Sequence, residues 1–479
     1  MSGDYLLPSD LASGPFEMHG VRCYVHALYF GERMMAERKH SRIERLALPL
    51  LVLATLAMSV LGASFATGIV AGPEDEDVAT PLPTSTPAPA PAPAPPAVSP
   101  TPSPPPTEAP SPTPPPVEAP AGAVSLRITA IGDVNFNRNR VPVMPQGAQV
   151  WDRLVPFSSF TERLAPLVDG DVNFANIETV VTDRNDFNPP DPNKAFCFRT
   201  HPNAIQELLR AKFNLFGLAN NHAFDFGTTG VRETLKFMRA FAETNNIAFT
   251  GIGMDFTEAS RPAIFTVKGV RVGLVAVGIG TGAGPSSAGV ASVADYRRAL
   301  ARLRDAEVDL RIFSIHDGKE GTLTPNDRQL RMCREAIRDF KVNIVFGHHP
   351  HRVQGVELYG KGVIFYSLGN GLMRGAADIG DNPATRYRSD FGLMARINLV
   401  VDQMSHGVTL QRIEAVPLYK MHEQPQPSSP DAAAARLQTL NDLSAYHSLQ
   451  QGWNSSCPSP TRNEPVRFTV RDYFGYMDL

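Results

Sequence analysis

The sequence predicts a layered α/β domain, preceded by one transmembrane helix and a disordered proline-rich stalk. Three observations predict this organisation: a long uncharged segment, a proline-rich stretch after it, and alternating strand-type and helix-type patterns over the rest of the 479 residues. The chain is 43% hydrophobic and 19% charged, with a formal net charge of -3. This composition excludes a fully disordered chain and a coiled coil. Near-neutral charge without a long basic run predicts no nucleic-acid partner.

Residues 46–71 are predicted to form a transmembrane signal-anchor helix. The segment has 26 residues without a charge, and a helix needs about 20 apolar residues to cross a bilayer. Five basic residues lie at positions 33–45, whereas four acidic residues follow at positions 74–77. The positive-inside rule therefore predicts a single-pass protein of the cell membrane. Residues 1–45 would be cytoplasmic and the C-terminal domain extracytoplasmic.

A cleaved signal peptide is the alternative interpretation of this segment. Ser64, Phe65 and Ala66 would then form a small-residue cleavage site, but the length of the apolar run favours an uncleaved anchor. Residues 1–33 are unlike the region that normally precedes a signal. A chain starting at Met34 or Met35 would have a short basic region before the apolar segment, as is typical, so we expect the native start there.

Residues 72–122 are predicted to form a disordered Pro/Ala-rich linker. Nineteen prolines lie within residues 81–120, and such a composition cannot bury a core. In the polyproline II conformation, at about 3.1 Å per residue, the linker would reach on the order of 100 Å. We interpret it as a spacer. The four cysteines are far apart and form no C-x-x-C pair, so no cysteine-based metal or redox site is predicted.

Residues 123–420 are predicted to form one large α/β domain, followed by a C-terminal extension at 421–479. Short apolar runs typical of strands alternate with amphipathic runs typical of helices, and the later part is rich in strands. This order favours a layered sandwich over a doubly wound sheet. Strands are predicted at 125–131, 171–175, 213–218, 270–277, 310–315, 342–346, 363–366, 392–400 and 467–470. Helices are predicted at 158–167, 203–211, 229–243, 293–304, 325–339 and 432–449.

Metal-capable side chains follow five of the predicted strands, at the edge where ligands bind in α/β proteins. They are Asp133 in G-D-V-N, Glu178 in A-N-I-E, Asn221 and His222 in N-N-H, His316 in H-D-G-K-E, and His348, His349 and His351 in G-H-H-P-H. Taken singly, each has an ordinary interpretation as a turn, cap or solvated residue. Their conjunction predicts a metal site, because three histidines within five residues are uncommon.

This mixture of ligands suits a pair of divalent metal ions. Two cations that lie close together need a bridging oxygen ligand, with imidazoles at the sides. Either Glu178 or Asn221 would bridge. The outer positions would be filled by Asp133, His316, His349 and His351. Mn, Fe, Zn and Co suit such ligands about equally.

Further residues of this region are candidates for catalysis and substrate contact. His222 would act as general acid towards a leaving group. Asp225 would either orient His222 or cap a helix. An anionic substrate would meet Lys194 and Arg199, unless these charges are only solvated. The remaining substrate-binding candidates are Asn135, His348 and Asn370, the last of which would shape the pocket floor or turn the chain.

Taken together, the motifs resemble the ordered motif series of the CapA family of capsule and poly-γ-glutamate biosynthesis proteins, which is related to calcineurin-like metallophosphoesterases. The resemblance rests on GDVNF at 132–136, ANIET at 175–179, LANNHAFDFG at 218–227, HDGKE at 316–320, GHHPHRVQG at 347–355 and YSLGN at 366–370. It implies a four-layer α/β/β/α fold of metallophosphoesterase type over about residues 124–418. It also implies metal-ligand roles for the six residues above and a catalytic role for His222.

The sequence departs from the family pattern at three positions. Asn135 replaces the histidine of the usual phosphoesterase D-x-H opening, and Glu178 stands where many relatives have Asp. Asp317 replaces an aromatic residue common in the H-x-G-x-E motif. These departures imply either that one metal ion is weakly held or that the substrate is not a phosphate ester.

Two functions remain open from the sequence. The first is a membrane-anchored, metal-dependent hydrolase that acts on a phosphoester or on an amide or ester bond of an anionic surface polymer. The second is a non-catalytic factor that binds such a polymer beside the proteins of capsule synthesis and export. A structural envelope protein with a vestigial site is disfavoured, because the ligand set is complete.

Overall fold

The computed structural model describes residues 122–150, 153–374, 391–449 and 465–479. The predicted cytoplasmic segment, the transmembrane helix, the alternative cleavage site and the linker up to residue 121 lie outside the described residues. Within the described ranges, no helix is long and apolar enough to span a bilayer. The anchor, the linker and the domain boundaries therefore stay predictions.

The first half of the domain alternates strands with helices. The strands are β1 (Ala123–Asn135), β2 (Gly147–Val150), β3 (Arg153–Pro156), β4 (Val172–Ile177), β5 (Val180–Val181), β6 (Arg199–Thr200), β7 (Leu215–Gly217), β8 (Ala248–Thr250) and β9 (Ile252–Gly253). The helices are α1 (Phe157–Thr161), α2 (Pro202–Arg210) and α3 (Gly227–Thr244), with a 3₁₀ turn at Ala165–Leu167. The continuous helix predicted at 158–167 is wrong. Pro166 lacks an N–H and disfavours the helical conformation of the residue before it, so the helix ends early.

The second half is richer in strands, as predicted. Its strands are β10 (Ala263–Val267), β11 (Val270–Gly278), β12 (Gly289–Val290), β13 (Leu310–His316), β14 (Ile344–His348), β15 (Val356–Tyr359), β16 (Gly362–Phe365), β17 (Asn370–Met373), β18 (Gly392–Asp402), β19 (Gly407–Tyr419), β20 (Gln426–Pro427), β21 (Thr469–Arg471) and β22 (Phe474–Asp478). Its helices are α4 (Phe256–Ala259), α5 (Tyr296–Asp305), α6 (Asp327–Phe340) and α7 (Pro430–Leu449), with a 3₁₀ turn at Val293–Asp295. A capping box of Asn326 and Gln329 starts α6.

The strands of the described residues form two large sheets. The larger sheet has ten strands, in the order β21-β22-β19-β18-β1-β4-β7-β8, with β17 paired to β1 and β20 paired to β19. Its neighbouring strands β1, β4, β7 and β8 are parallel. The smaller sheet has six strands, in the order β10-β11-β13-β14-β16-β15, and β11, β13, β14 and β16 are parallel. Each sheet therefore gathers the carboxyl ends of several strands at one edge.

The two sheets pack face to face through apolar side chains. Phe174 of β4 stacks on Phe346 of β14, with 5.3 Å between the ring centroids, in a core that also contains Ile128 and Ile312. Helices α2 and α3 cover the outer face of the larger sheet, and α5 and α6 cover that of the smaller sheet. The described domain thus has helix, sheet, sheet and helix layers, and the predicted α/β class is confirmed.

The described C-terminal residues pack on this domain. Strand β22 pairs with β19 and extends the larger sheet. Leu437 and Leu440 of α7, together with Phe468, are buried in the core between the sheets. The predicted C-terminal extension thus supplies core side chains and an outer strand pair.

Candidate metal centre

The predicted ligands meet where the carboxyl ends of the two sheets come together. Asp133 lies near the end of β1 and Glu178 directly follows β4, whereas His316 and His348 end β13 and β14 and pair in register. Next to Asp133, the backbone of Gly132 closely approaches the backbone of Gly369. A Cβ at position 132 would lie 1.9 Å from the carbonyl oxygen of Gly369. The next amide, Asp133 N, donates to that carbonyl at 3.1 Å. Glycine is required at this close approach.

Glu178 lies at the centre of the cluster. Its carboxylate is fully buried, and neither oxygen accepts a hydrogen bond from a described residue. Oε1 lies 3.3 Å from His316 Nε2, 3.8 Å from His351 Nε2 and 4.0 Å from His222 Nε2. Burial, followed by the charge of Asp133, raises the pKa of the Glu178 carboxyl to about 8. An orphaned buried carboxylate among imidazoles is a chemical environment that suits a cation.

The first candidate ligand group consists of Asp133, Glu178 and His351, whose ligand atoms lie within 4.8 Å of one another. Asp133 Oδ2 lies 3.4 Å from His351 Nδ1 and accepts the His349 backbone N–H at 3.2 Å. Burial alone would raise the pKa of the Asp133 carboxyl, but contacts with His348 and His351 hold that pKa well below its usual range. Burial would lower the pKa of His351, but Glu178 and Asp133 raise it to about 10.

The second candidate ligand group consists of Glu178, His316 and His349, again within 4.8 Å of one another. Asn221 adjoins it, since its Oδ1 lies 2.7 Å from His316 Nε2. Burial lowers the pKa of His316 to about 3 and that of His349 to about 4. Both rings are therefore neutral at physiological pH, which is the form that ligates metals.

The turn after β14 carries backbone strain. His349 has a φ of 93° and His351 a φ of 53°, in the left-handed region that non-glycine residues rarely adopt. Pro350 separates them. Such strain persists where the surroundings impose it, and it concentrates at functional sites. Here the turn places the His351 imidazole in the first ligand group and the His349 imidazole in the second.

These two groups overlap at Glu178 and fit a metal centre. They combine carboxylate oxygens with imidazole nitrogens, the donor set typical of Mn, Fe, Co and Zn sites. The six predicted ligands are all brought to this place: Asp133, Glu178, Asn221, His316, His349 and His351. A cation there would offset the cost of the buried Glu178 charge.

His222 and Asp225 form a hydrogen-bonded pair at the rim of the ligand groups. His222 Nδ1 lies 2.8 Å from Asp225 Oδ2, and Nε2 faces Glu178. Helix α3 has Phe226 as its N-cap, so of the two roles predicted for Asp225 the contact favours orienting His222. Asp225 also accepts the Phe198 N–H at 2.6 Å and the Lys194 ammonium at 2.5 Å.

Two residues predicted to contact the substrate are buried in the structure. Asn135 is fully buried: its Oδ1 accepts from Asn137 N at 3.1 Å and from Thr200 Oγ1 at 3.3 Å, and its Nδ2 donates to Asn137 O at 2.6 Å. His348 is fully buried too, with Nδ1 at 3.2 Å from Asp133 Oδ1. The Asn135 amide is therefore occupied by protein partners, whereas the buried His348 ring lies against Asp133.

The other polar residues predicted near the substrate also have protein partners. The Arg199 guanidinium stacks over Phe226 at 5.0 Å, on the strand face opposite Phe198. Asn370 Oδ1 lies 2.8 Å from His351 Nδ1 and steadies that ring. Lys194 is bound to Asp225 and to the backbone oxygen of Asn221. Asp317, which departs from the family motif, is buried in a bidentate pair with Arg328.

Sequence reasoning did not select Asn176. Its Nδ2 donates to Asp133 Oδ1 at 2.7 Å and lies 3.2 Å from His316 Nδ1, so it links one ligand from each sheet. The signal was present in A-N-I-E: Asn176 lies two residues before Glu178, and alternate residues of a strand share a face. Such outer contacts orient metal ligands.

The fold and the two ligand groups define a layered α/β protein with a candidate metal centre. The family model described as "Bacterial capsule synthesis protein PGA_cap" matches residues 127–374, more than half of the chain. The chain belongs to this family of bacterial capsule synthesis proteins. The match contains all six candidate ligands together with His222 and Asp225.

Two curated relatives have similar sequences. The "PGA biosynthesis protein CapA" of Bacillus subtilis (strain 168) is 32% identical over 202 residues, which cover 41% of this chain and 51% of the relative. The "Capsule biosynthesis protein CapA" of Bacillus anthracis is 28% identical over 259 residues, which cover 51% and 59%. The chain thus spans between half and two thirds of the length of these relatives.

A solved structure of a calcineurin-like phosphoesterase from Bacillus subtilis is also similar. It has 11% sequence identity and a TM-score of 0.35, over 67% of this chain and 98% of that one. The family assignment rests on the family match and not on this likeness.

Proposed function

We propose that the chain is a hydrolase dependent on two divalent metal ions, acting on a phosphoester or on a bond of an anionic surface polymer in capsule or poly-γ-glutamate biosynthesis. The observation that carries the proposal is Glu178. Its two oxygens are buried without a hydrogen-bond donor among the described residues, and it belongs to both ligand groups. A carboxylate shared in this way is what a pair of cations requires. The polymer is suggested by the names of the relatives.

The residues of the two groups would hold the metal ions, with Asn221 beside the second group. When bound, Mn, Fe, Zn or Co would supply Lewis-acid activation of water and charge neutralisation of the substrate. Glu178 would be the shared ligand. Asp133 is oriented by Asn176 and kept ionised by His348 and His351, and His316 is kept neutral by burial. Asp133 and His316 are thus supplied in their ligating forms, whereas Glu178 would release a proton when a metal ion binds.

His222 would deliver a proton to the leaving group. Its Nδ1 is held by Asp225, which leaves Nε2 as the ring atom facing the ligand groups. The Phe198 N–H and the Lys194 ammonium fix Asp225 in turn. A histidine oriented by a carboxylate is a common general acid, and its contribution is typically about 10²- to 10⁴-fold.

The proposed place of action is the outer side of the cell membrane. Residues 46–71 would anchor the chain in the bilayer, and the proline-rich linker would hold the domain away from it. The proposed partners are an anionic surface polymer or phosphoester substrate and the proteins of capsule synthesis and export.

The direct test is hydrolysis by the full-length protein supplied with Mn²⁺. Bis(p-nitrophenyl) phosphate and poly-γ-glutamate serve as substrates, and His222→Ala is compared with His406→Ala, whose exposed ring pairs with Asp309. We expect His222→Ala to lower the rate by about 10²- to 10⁴-fold, with bound Mn²⁺ unchanged, and His406→Ala to match the unmodified protein. An unchanged rate in His222→Ala would refute the catalytic role.

A non-catalytic polymer-binding or assembly role is the second candidate, and the side chain of Asn135 favours it. Where the usual phosphoesterase D-x-H opening has a histidine, this amide is occupied by Asn137 and Thr200, so the Asp133 group has one ligand fewer to hold its ion. This role predicts polymer binding that survives His222→Ala, without hydrolysis of either substrate.

A further inference from the structure

Phe196 is a large aromatic side chain exposed beside the His222–Asp225 pair. It is 57% exposed, and its ring stacks on Phe198 with 6.3 Å between centroids and 24° between planes. The Phe198 ring lies 4.5 Å from that of His222. The two rings therefore link solvent to the proposed general acid, with Phe196 exposed and Phe198 only 6% exposed between Phe196 and His222.

The loop that carries Phe196 is fixed on both sides of this residue. Asn139 Nδ2 donates to Ala195 O at 2.8 Å, and Cys197 N donates to Asn139 Oδ1 at 2.8 Å. One side-chain amide thus clamps both neighbours of Phe196. Scattered exposed apolar residues are common at protein surfaces, but this ring is held outward by a hydrogen-bonded loop.

The neighbouring residues tie the same loop to the candidate catalytic pair. Lys194 binds Asp225 Oδ1, and the Phe198 N–H binds Asp225 Oδ2. Cys197 is buried on the other side of the segment, against Val180 and Phe226. Phe198 contacts His222 and Phe196 stacks on Phe198, whereas Cys197 packs in a different cluster.

We propose that Phe196 and Phe198 form the subsite for the leaving group, and that the preferred substrate is a phosphoester whose leaving alcohol carries a ring. This inference rests on the proposed function, since His222 would protonate the leaving oxygen. A group attached to that oxygen would extend along the Phe198 and Phe196 rings. Flat aromatic faces bind ring-shaped groups by stacking, without specific hydrogen bonds.

Binding of phosphonates, which are not hydrolysed, tests the subsite separately from catalysis. Benzylphosphonate offers an aromatic ring, cyclohexylmethylphosphonate a saturated ring of pyranose shape, and propylphosphonate no ring. Affinity is measured by isothermal titration calorimetry on the full-length protein with Mn²⁺. The variants are Phe196→Ala and Phe196→Tyr, with Met404→Ala as a control because Met404 is 87% exposed elsewhere.

We expect the unmodified protein to bind at least one ring phosphonate about tenfold more tightly than propylphosphonate. Phe196→Ala should abolish this preference and leave propylphosphonate affinity unchanged, whereas Phe196→Tyr and Met404→Ala should retain the preference. The two ring ligands distinguish an aromatic from a sugar-like leaving group.

Three results would overturn the subsite: equal affinity for all three ligands, an equal loss for all three in Phe196→Ala, or no binding of any. A ring preference that depends on Phe196, without hydrolysis of any phosphoester, would sink the proposed function and leave the subsite standing. Hydrolysis without a ring preference would remove the subsite alone.

Discussion

Replacing Glu178 by glutamine should change how the stability of the metal-free protein depends on pH. The carboxyl group ionises near pH 4.5 in the unfolded chain, whereas burial raises its pKa in the folded protein to about 8. Between these values the folded state holds more protons than the unfolded state, so stability falls as pH rises. Glutamine keeps the shape of the side chain and removes this titration.

The size of the effect follows from the two pKa values. From pH 5.5 to pH 8 the unfolded carboxyl is almost fully ionised, while the folded one keeps much of its proton. At about 1.4 kcal/mol for each pKa unit, the unmodified protein should lose about 3 kcal/mol relative to Glu178→Gln over this range. Removing the Glu178 charge also reduces the raised pKa of His351. A histidine with a raised pKa stabilises the folded state less as pH rises. The loss of this contribution therefore has the same sign as the effect of Glu178 itself.

The assay is guanidinium unfolding of the full-length protein with chelator present, followed by circular dichroism at pH 5.5 and pH 8. Glu335→Gln is the matched control. Burial would raise the pKa of Glu335, but hydrogen bonds from Arg297 and Tyr296 lower it, so both states are ionised across this range. The free energy of unfolding of Glu335→Gln should therefore differ from that of the unmodified protein by the same amount at both pH values. If the difference for Glu178→Gln is equally independent of pH, the assignment of Glu178 as a buried carboxyl with a raised pKa is refuted.

Three further predictions concern the orientation of His222, proton release and the packing of the sheets. Asp225→Asn should lower hydrolysis by about 10- to 100-fold with bound metal unchanged, and steady-state kinetics beside elemental analysis would detect a loss of metal instead. Mn²⁺ affinity should rise by about tenfold or more from pH 6.5 to pH 8.5, because the raised pKa values of Glu178 and His351 require proton loss on binding. Calorimetry in buffers of different ionisation enthalpy measures that release, and a pH-independent affinity would contradict it. Phe346→Ala should lower the free energy of unfolding by about 3–5 kcal/mol, against less than about 0.5 kcal/mol for the exposed Met404→Ala. Similar values for both would contradict the packing of the two sheets through Phe174 and Phe346.

The major strands could be predicted from the sequence because they are buried apolar runs of ordinary length. The strand predicted at 310–315 is found as Leu310–His316, and that at 392–400 as Gly392–Asp402. Two-residue strands such as Val180–Val181 escaped prediction, since so short a segment has no periodicity. The helix predicted at 158–167 is wrong because Pro166 has no backbone N–H to donate within a helix, although the amphipathic pattern continues through it.

The site could be predicted as a set of residues, but not in its detailed geometry. The parallel strands of the two sheets bring Asp133, Glu178 and His316 to adjoining carboxyl edges, and the order of strands and motifs already placed each residue at a strand end. The separate roles of His348 and His349 depend on where β14 ends and a left-handed turn begins. Likewise Asn135 is occupied by Thr200, 65 residues later in the chain, and no local pattern reveals such a contact.

The most direct test of a metal centre shared through Glu178 is the metal content of the full-length protein. The protein is purified without chelator or affinity metal, and elemental analysis compares it with Glu178→Gln and His349→Ala. The account predicts about two ions of Mn, Fe, Zn or Co per chain, with less in both variants and the larger loss in Glu178→Gln. Absence of metal in the unmodified protein, with none taken up on addition, would contradict it.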